Sequence, residues 1–456
     1  MPVPPGIPSS PRDLDTIRHR QQNPSMRQPE TFAAVLTRRA GVLSLLLVVA
    51  LLVGARWLVG AIEDASWNAG AMRARLSLAL LAATVVLAAL SVRRVRVRGA
   101  VRQRLGAAGI VLVCAACLPT LYLQAQLLAT RLRSPHLNDI PLTTMVAAQV
   151  MAAGGNPYRA AVDPRAESRE QGRNFDGFKY MPLMAVTYAP AALLDSHRGV
   201  ILINTALHAL TAALIFLVAR SLAGEAAAAL GLVFYLWIRL VPRQLFGPGV
   251  TDLAAMVPLV AAWWVAARRP LAGGLLLGIS LSMKLVPALA LAPVIAPPAV
   301  PWRDKDSRRF WLGLACGSVP TLIYFLWSPA DFASNVFLFN LLRPVDSTSW
   351  LYGHPEIWRR VAAVGLVAVM IGGGVVRWTA RPGPFGQVLL AYAVTVGLTL
   401  LGPANHGNYQ LWWLPWFSIV LGVSLAAFLS PPAALAPHDG AARGARRPFN
   451  GPVSGP

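Results

Sequence analysis

The polar side chains of this sequence that topology alone does not explain fall at a few places. The first is Ser134-Pro-His-Leu-Asn-Asp-Ile-Pro-Leu142, where Asn138 and Asp139 stand just ahead of Pro141. A carboxylate so placed can take a proton from a hydroxyl group. Equally, Asn138 or Asp139 can simply cap the helix that Pro141 begins, running to about residue 153. The helix ends in Gly154-Gly-Asn-Pro-Tyr158, a stop-and-turn sequence that contributes Asn156 and Tyr158.

Two lysines come next. All but Lys179, Lys284 and Lys305 of the 41 basic residues are arginine. Lys179 precedes Tyr180 in Phe178-Lys-Tyr-Met-Pro-Leu183, and Lys284 lies in Ser282-Met-Lys-Leu-Val-Pro287. A compact ammonium at a membrane surface can pair with a phosphate, or it can simply snorkel to the interface. Lys284 separates two short, proline-interrupted apolar segments, the arrangement that lines cavities at membrane depth. Asp252, closing Gly247-Pro-Gly-Val-Thr-Asp252, suits either such a cavity or a helix cap. Later polar groups are Asn340, Arg343, Ser347 and His354, then Asn405, His406, Asn408 and Tyr409, whose chemistry suits sugar hydroxyls and phosphates. No metal-ligand spacing, Walker, dinucleotide-binding or nucleophile-elbow motif is present. Cys114 and Cys117 form C-x-x-C inside an apolar run and Cys316 lies in another, so all three read as small buried hydrophobes.

The elements that position these groups follow from composition. Of 456 residues, 55% are hydrophobic and 13% charged, and mean hydropathy is +0.53. Apolar runs of about 15 to 25 residues match the roughly 30 Å of a hydrocarbon core. A soluble protein would show amphipathic stripes instead. The net charge of +22 does not signal nucleic acid, because the arginines cluster in short links and tails beside apolar runs. The sequence therefore predicts an all-α, polytopic transmembrane protein of about twelve spans.

Charge sets the topology. Spans are expected near 40–62, 76–92 and 107–128, with Arg93, Arg94, Arg96, Arg98, Arg102 and Arg104 marking a cytoplasmic link before the third. The third span then exits outside. Further cytoplasmic markers are Arg268–Arg269, Arg303 to Arg309, and Arg377 with Arg381. They give spans near 199–219, 226–243, 252–267, 310–328, 359–378, 385–401 and 411–429, with a hairpin of two short segments near 271–299. Tyr180 to Leu194 must be re-entrant or interfacial, since a full crossing would reverse everything downstream. Residues 1–36 and 430–456 read as disordered cytoplasmic tails, 37–106 as a two-span N-terminal addition, and 107–429 as the main membrane domain.

The order of these pieces resembles a known family. An Asp in the loop after an early span, then G-G-N-P-Y, K-Y-M-P-L, S-M-K-L-V-P and N-Y-Q-L-W-W-L-P-W (Asn408 to Trp416), is similar to the GT-C superfamily of polytopic glycosyltransferases. The nearest group is the bacterial polyprenyl-phosphate-mannose-dependent α-mannosyltransferases and related arabinofuranosyltransferases. The resemblance covers about 107–429, and G-P-G-V-T-D lacks the Gln of the corresponding family segment. It implies a bacterial plasma-membrane enzyme working on the extracytoplasmic side. The donor would be a polyprenyl-phosphate-linked sugar, mannose or another hexose or pentose, and the acceptor a cell-envelope glycan or glycolipid. No cofactor or metal is implied, since the lipid-linked sugar is a substrate. Asp139 takes the position of the catalytic base. Lys179, Lys284 or Arg343 would hold the phosphate, and Asn138, Asn156, Tyr158, Tyr180, His354, His406 and Tyr409 would shape the sugar and acceptor sites. The competing class is a transporter or lipid flippase, with Lys284 and Asp252 on a translocation path.

Overall fold

A computed structural model describes residues 107–162, 176–297, 304–339, 349, 355–402 and 407–429. The tails and the two spans expected before residue 107 lie outside the described residues, as do Asn340, Arg343, Ser347, His354, Asn405 and His406. The chain divides into two compact units, Arg56–Phe428 and Met1–Ala55 with Leu429–Pro456. Apart from Leu429, everything described belongs to the first.

The described residues are helical throughout, without strands. In chain order the helices are α1 (Ala107–Arg133), α2 (Asp139–Ala152), α3 (Pro182–Leu193), α4 (His197–Ala223), α5 (Glu225–Trp237) and α6 (Leu240–Phe246). They continue as α7 (Asp252–Ala266), α8 (Pro270–Leu281), α9 (Leu285–Ile295), α10 (Lys305–Trp327), α11 (Glu356–Ala380), α12 (Pro384–Leu401) and α13 (Leu414–Leu429). A π-helical turn, Ala333–Leu338, follows α10 after one turn of helix, and a 3₁₀ turn, Gly407–Trp412, leads into α13.

Five helices, α1, α4, α10, α11 and α12, are long and apolar enough to cross a membrane, and α5 with α6 makes a sixth if that pair, bent by 55°, is one span. Large apolar side chains stand exposed along α1 (Val111, Leu118), α10 (Leu312, Leu326) and α11 (Val364, Ile371), as lipid-facing surfaces require. Cys114 and Cys316 share those outward faces, and only Cys117 is buried, which corrects the expectation for two of the three.

The remaining helices are each too short to cross a membrane on their own. The stretch expected to cross at 252–267 is the 15-residue α7, and that expected at 411–429 is the 16-residue α13. The hairpin near 271–299 is α8 with 12 residues and α9 with 11. At 1.5 Å per residue these reach only about 16–24 Å, less than the roughly 30 Å core. The ends of α7 and α8 are marked in the sequence by Arg268–Arg269 and Lys284, whereas the run expected to cross near 226–243 is broken into α5 and α6. α3, at 12 residues, is likewise too short to cross. It packs beside α2 and ends in a tight turn with Asp195 at φ +44°, before α4 starts with its N-cap Ser196.

Two packing devices fix the site-bearing segments. The α8 and α10 backbones touch: a Cβ added at Gly274 would meet the Phe310 carbonyl, and one at Gly278 the Leu314 carbonyl. Small residues four apart on both helices allow this close crossing. Beside it, Ser282 Oγ donates to the Gly317 carbonyl at 3.0 Å and accepts from Thr321 Oγ1 at 2.9 Å, pinning the turn before Lys284. The second device is buried between α1, α4 and α5. His208 bonds Tyr235 Oη at 3.0 Å and Gln124 Oε1 at 3.1 Å, and Gln124 Nε2 donates to the Leu236 carbonyl at 2.8 Å. That carbonyl lies where α5 stops, so Gln124 satisfies an acceptor the bend sets free.

Candidate functional site at the Asp252–Lys284 pair

Asp252 opens α7 and Lys284 immediately precedes α9. Both are reached from the Arg268–Arg269 end of the bundle by one short helix, α7 or α8. At 1.5 Å per residue that sets them about 20–24 Å from that end, among apolar helices. A lone charge there is costly, and each has a partner. Lys284 Nζ donates to Asp252 Oδ1 at 2.5 Å, with side-chain exposures of 11% and 0%. Trp412 Nε1 donates to the same oxygen at 2.6 Å, and Asn408 Nδ2 to Oδ2 at 2.8 Å.

The carboxylate is therefore saturated by a cation and two neutral donors. Thr251, the residue ahead of α7, gives no side-chain cap, and the Asp252 carboxylate turns to the ion pair. The Lys284 ammonium also lies 5.1 Å from the Trp412 ring, 5.3 Å from Tyr409 and 5.4 Å from Tyr180. Three aromatic rings around a cation stabilise it through their π faces. With one of its three N–H groups on Asp252, the ammonium keeps donors for an incoming anion among the described residues.

The structure thus brings Lys284, Tyr180 and Tyr409 together, and adds Asp252, Asn408 and Trp412. Tyr180 is delivered by a backbone bond from Leu183 N–H to the Ser282 carbonyl at 2.8 Å, which ties the start of α3 to the turn before Lys284. Tyr409 and Trp412 come from the 3₁₀ turn, where their rings lie 4.6 Å apart. Trp412 was not singled out by sequence reasoning. The signal available was a Trp that, once buried, needs an acceptor for its indole N–H.

Asp139 sits at the first position of α2, half-buried, at the positive end of the helix dipole. The N-cap is Asn138, whose Oδ1 accepts from Ile140 N–H at 3.2 Å. The Asn138 N–H donates to the Pro248 carbonyl at 2.9 Å, so Asp139 stands beside the turn that leads into Asp252. Gly249 in that turn has φ +73°, a conformation that favours glycine.

Asn156 and Tyr158 hold the loop itself. Asn156 Nδ2 donates to Ser328 Oγ at 2.8 Å and its Oδ1 accepts from Tyr158 N–H at 2.9 Å. The Tyr158 hydroxyl donates to the Tyr180 carbonyl at 2.9 Å, and its ring packs on Phe178, Tyr324 and Phe332. Burial, and secondarily Tyr324, push the Tyr158 phenol well above its ordinary range, so it serves as a neutral donor. Asn335, in the π-helical turn, clamps this loop by accepting from Gly177 N–H at 3.1 Å and donating to the Tyr158 carbonyl at 3.1 Å. The Lys179 ammonium lies 4.3 Å from the Phe339 ring. No group of three metal-capable side chains occurs among the described residues.

No family model matches the sequence, and no curated protein does. Among solved structures, ArnT from Cupriavidus metallidurans bound to undecaprenyl phosphate aligns with a TM-score of 0.45 at 18% identity, over 70% of this chain and 60% of that one. The chain spans about three fifths of that structure's length. A likeness at this level assigns no activity.

Proposed function

We propose that the chain is a membrane glycosyltransferase that moves a sugar from a polyprenyl-phosphate donor to an acceptor hydroxyl on the extracytoplasmic side. The observation that carries this reading is the Lys284 ammonium, sunk to membrane depth, boxed by aromatic rings and backed by Asp252. A donor whose phosphate sits at the headgroup boundary and whose chain remains in lipid needs a cation at that depth.

In the reaction, the acceptor oxygen forms a bond to the anomeric carbon as the bond from that carbon to the phosphate oxygen breaks. The acceptor proton passes to Asp139, at the start of α2, acting as general base. The electron pair leaves on the lipid monophosphate, where Lys284 supplies fixed positive charge. Asp252 does not meet the substrate. It holds the ammonium in place and offsets its burial. Lys179 and Arg343 are further phosphate partners in this reading. Tyr180 and Tyr409 offer ring faces to the sugar, and His354 and His406 are further sugar or acceptor partners in this reading. The donor lipid-linked sugar and the glycan or glycolipid acceptor are substrates, and the chemistry requires no metal.

The test is transfer from a labelled polyprenyl-phosphate sugar in membranes carrying Asp139→Asn. Loss of the base should slow transfer by about 10²–10⁴-fold, and near-wild-type turnover would remove Asp139 from the mechanism. The buried pair also suits a translocation path. Substrate uptake into liposomes by the purified protein, with no glycosyl product, would favour that reading instead.

A further inference from the structure

A separate feature lies between α1 and the break that bends α5 against α6. A groove of about 240 Å³ opens there, with Leu123 and Leu127 of α1 facing Leu236 and Pro242. Arg239, at the break, and Arg243, one turn on, also line it. Below the groove the helices are stitched by Trp237 Nε1 to the Ala116 carbonyl at 2.9 Å and by Gln124 to Leu236. Its α1 wall follows one helical face, Thr120, Leu123, Gln124 and Leu127, and the next residue on that face is Arg131.

The arginines point to the ligand. Arg131, Arg133, Arg239 and Arg243 gather at the end of the bundle that leads to Asp139 and Asp252, away from the Arg268–Arg269 end, and Arg239 and Arg243 line the groove itself. The charge rule that places arginines at the cytoplasmic ends of spans does not account for them.

We infer that this groove binds a membrane lipid through its phosphate headgroup. Arg239 and Arg243 meet the phosphate, for which forked guanidinium donors are suited. The leucines and Pro242 receive the start of the hydrocarbon chain, along the roughly 16 Å of α1 from Arg131 down to Thr120. The groove is walled by different residues from those around Lys284, and the inference does not depend on glycosyl transfer.

The experiment uses the full-length protein in phosphatidylcholine nanodiscs with a diazirine-bearing phosphatidic acid. The control is the matching diacylglycerol, which lacks the phosphate, and cross-linked peptides are read by mass spectrometry. Phosphatidic acid should label peptides spanning 120–131 and 236–243. The Arg239→Gln/Arg243→Gln variant should lower that labelling at least about tenfold. Leu127→Trp, which fills the groove and leaves the charges, should lower it as well. Four outcomes would overturn the inference: equal labelling by diacylglycerol, unchanged labelling in both variants, labelling confined to other peptides, or displacement by inorganic phosphate alone. The last would mean a free-anion site rather than a lipid site.

Discussion

At the residue scale, the Asp252–Lys284 pair decides what this site can do. Each charge is tolerable at membrane depth because the other is there, so removing one should cost more than removing both. Lys284→Met leaves Asp252 buried with only neutral donors, and a loss of about 3–5 kcal/mol in unfolding free energy is expected. The double variant Asp252→Asn/Lys284→Met should recover a large part of it. Chemical denaturation of the purified protein in detergent checks this, and additive losses would show that the pair is not coupled. Under the proposed function, transfer activity should not recover with stability, because the double variant lacks the cation assigned to the phosphate. Trp412→Phe removes a 2.6 Å donor to Asp252 but keeps a ring over Lys284. It should cost about 1.5–3 kcal/mol of stability while the ammonium stays in place.

At the element scale, the position of Lys284 depends on how closely α8 lies on α10. Gly278→Leu places side-chain atoms where the Leu314 carbonyl and Gly317 backbone now stand, so one helix must move. Overpacking of this kind costs about 1–3 kcal/mol. The displaced turn also breaks the Ser282 bonds to Gly317 and Thr321 and loosens the Leu183 tie that delivers Tyr180. Transfer activity should therefore fall further than stability does. Equal activity in Gly278→Leu, measured at matched folded protein, would show that the crossing does not position the site.

At the scale of the whole molecule, the arrangement makes a prediction about sides. α4 runs 27 residues from His197, after the turn at Ser196, to Ala223, enough to span a bilayer, while α3 before it is too short. On a background lacking Cys114, Cys117 and Cys316, Ser196→Cys should react with an impermeant maleimide from outside the cell. Ser221→Cys should react only after permeabilisation. Cytoplasmic labelling at Ser196 would mean that the chain crosses at 180–194 and would invert the placement of everything downstream.

The sequence by itself determined the class of molecule and the list of polar residues worth attention. Apolar runs and clustered arginines are local, composition-level signals, so an all-helical membrane protein could be read directly, and so could the short α3 and the break around Lys284. A cap at Asn138 or Asp139 was equally legible, because capping acts over three or four residues, and the structure gives it to Asn138 with Asp139 already in the helix. Helix ends within continuous apolar runs were not legible. The run read as one span near 226–243 is bent by 55° between α5 and α6. Nor could the sequence join Asp252 to Lys284, Asn408 and Trp412, which lie 32 to 160 positions away. Either a helix cap or an ion pair suited Asp252 locally. Only the tertiary structure, by burying the carboxylate beside a cation and two donors, decided between them, because a charge at that depth must be met by whatever the fold brings within bonding distance.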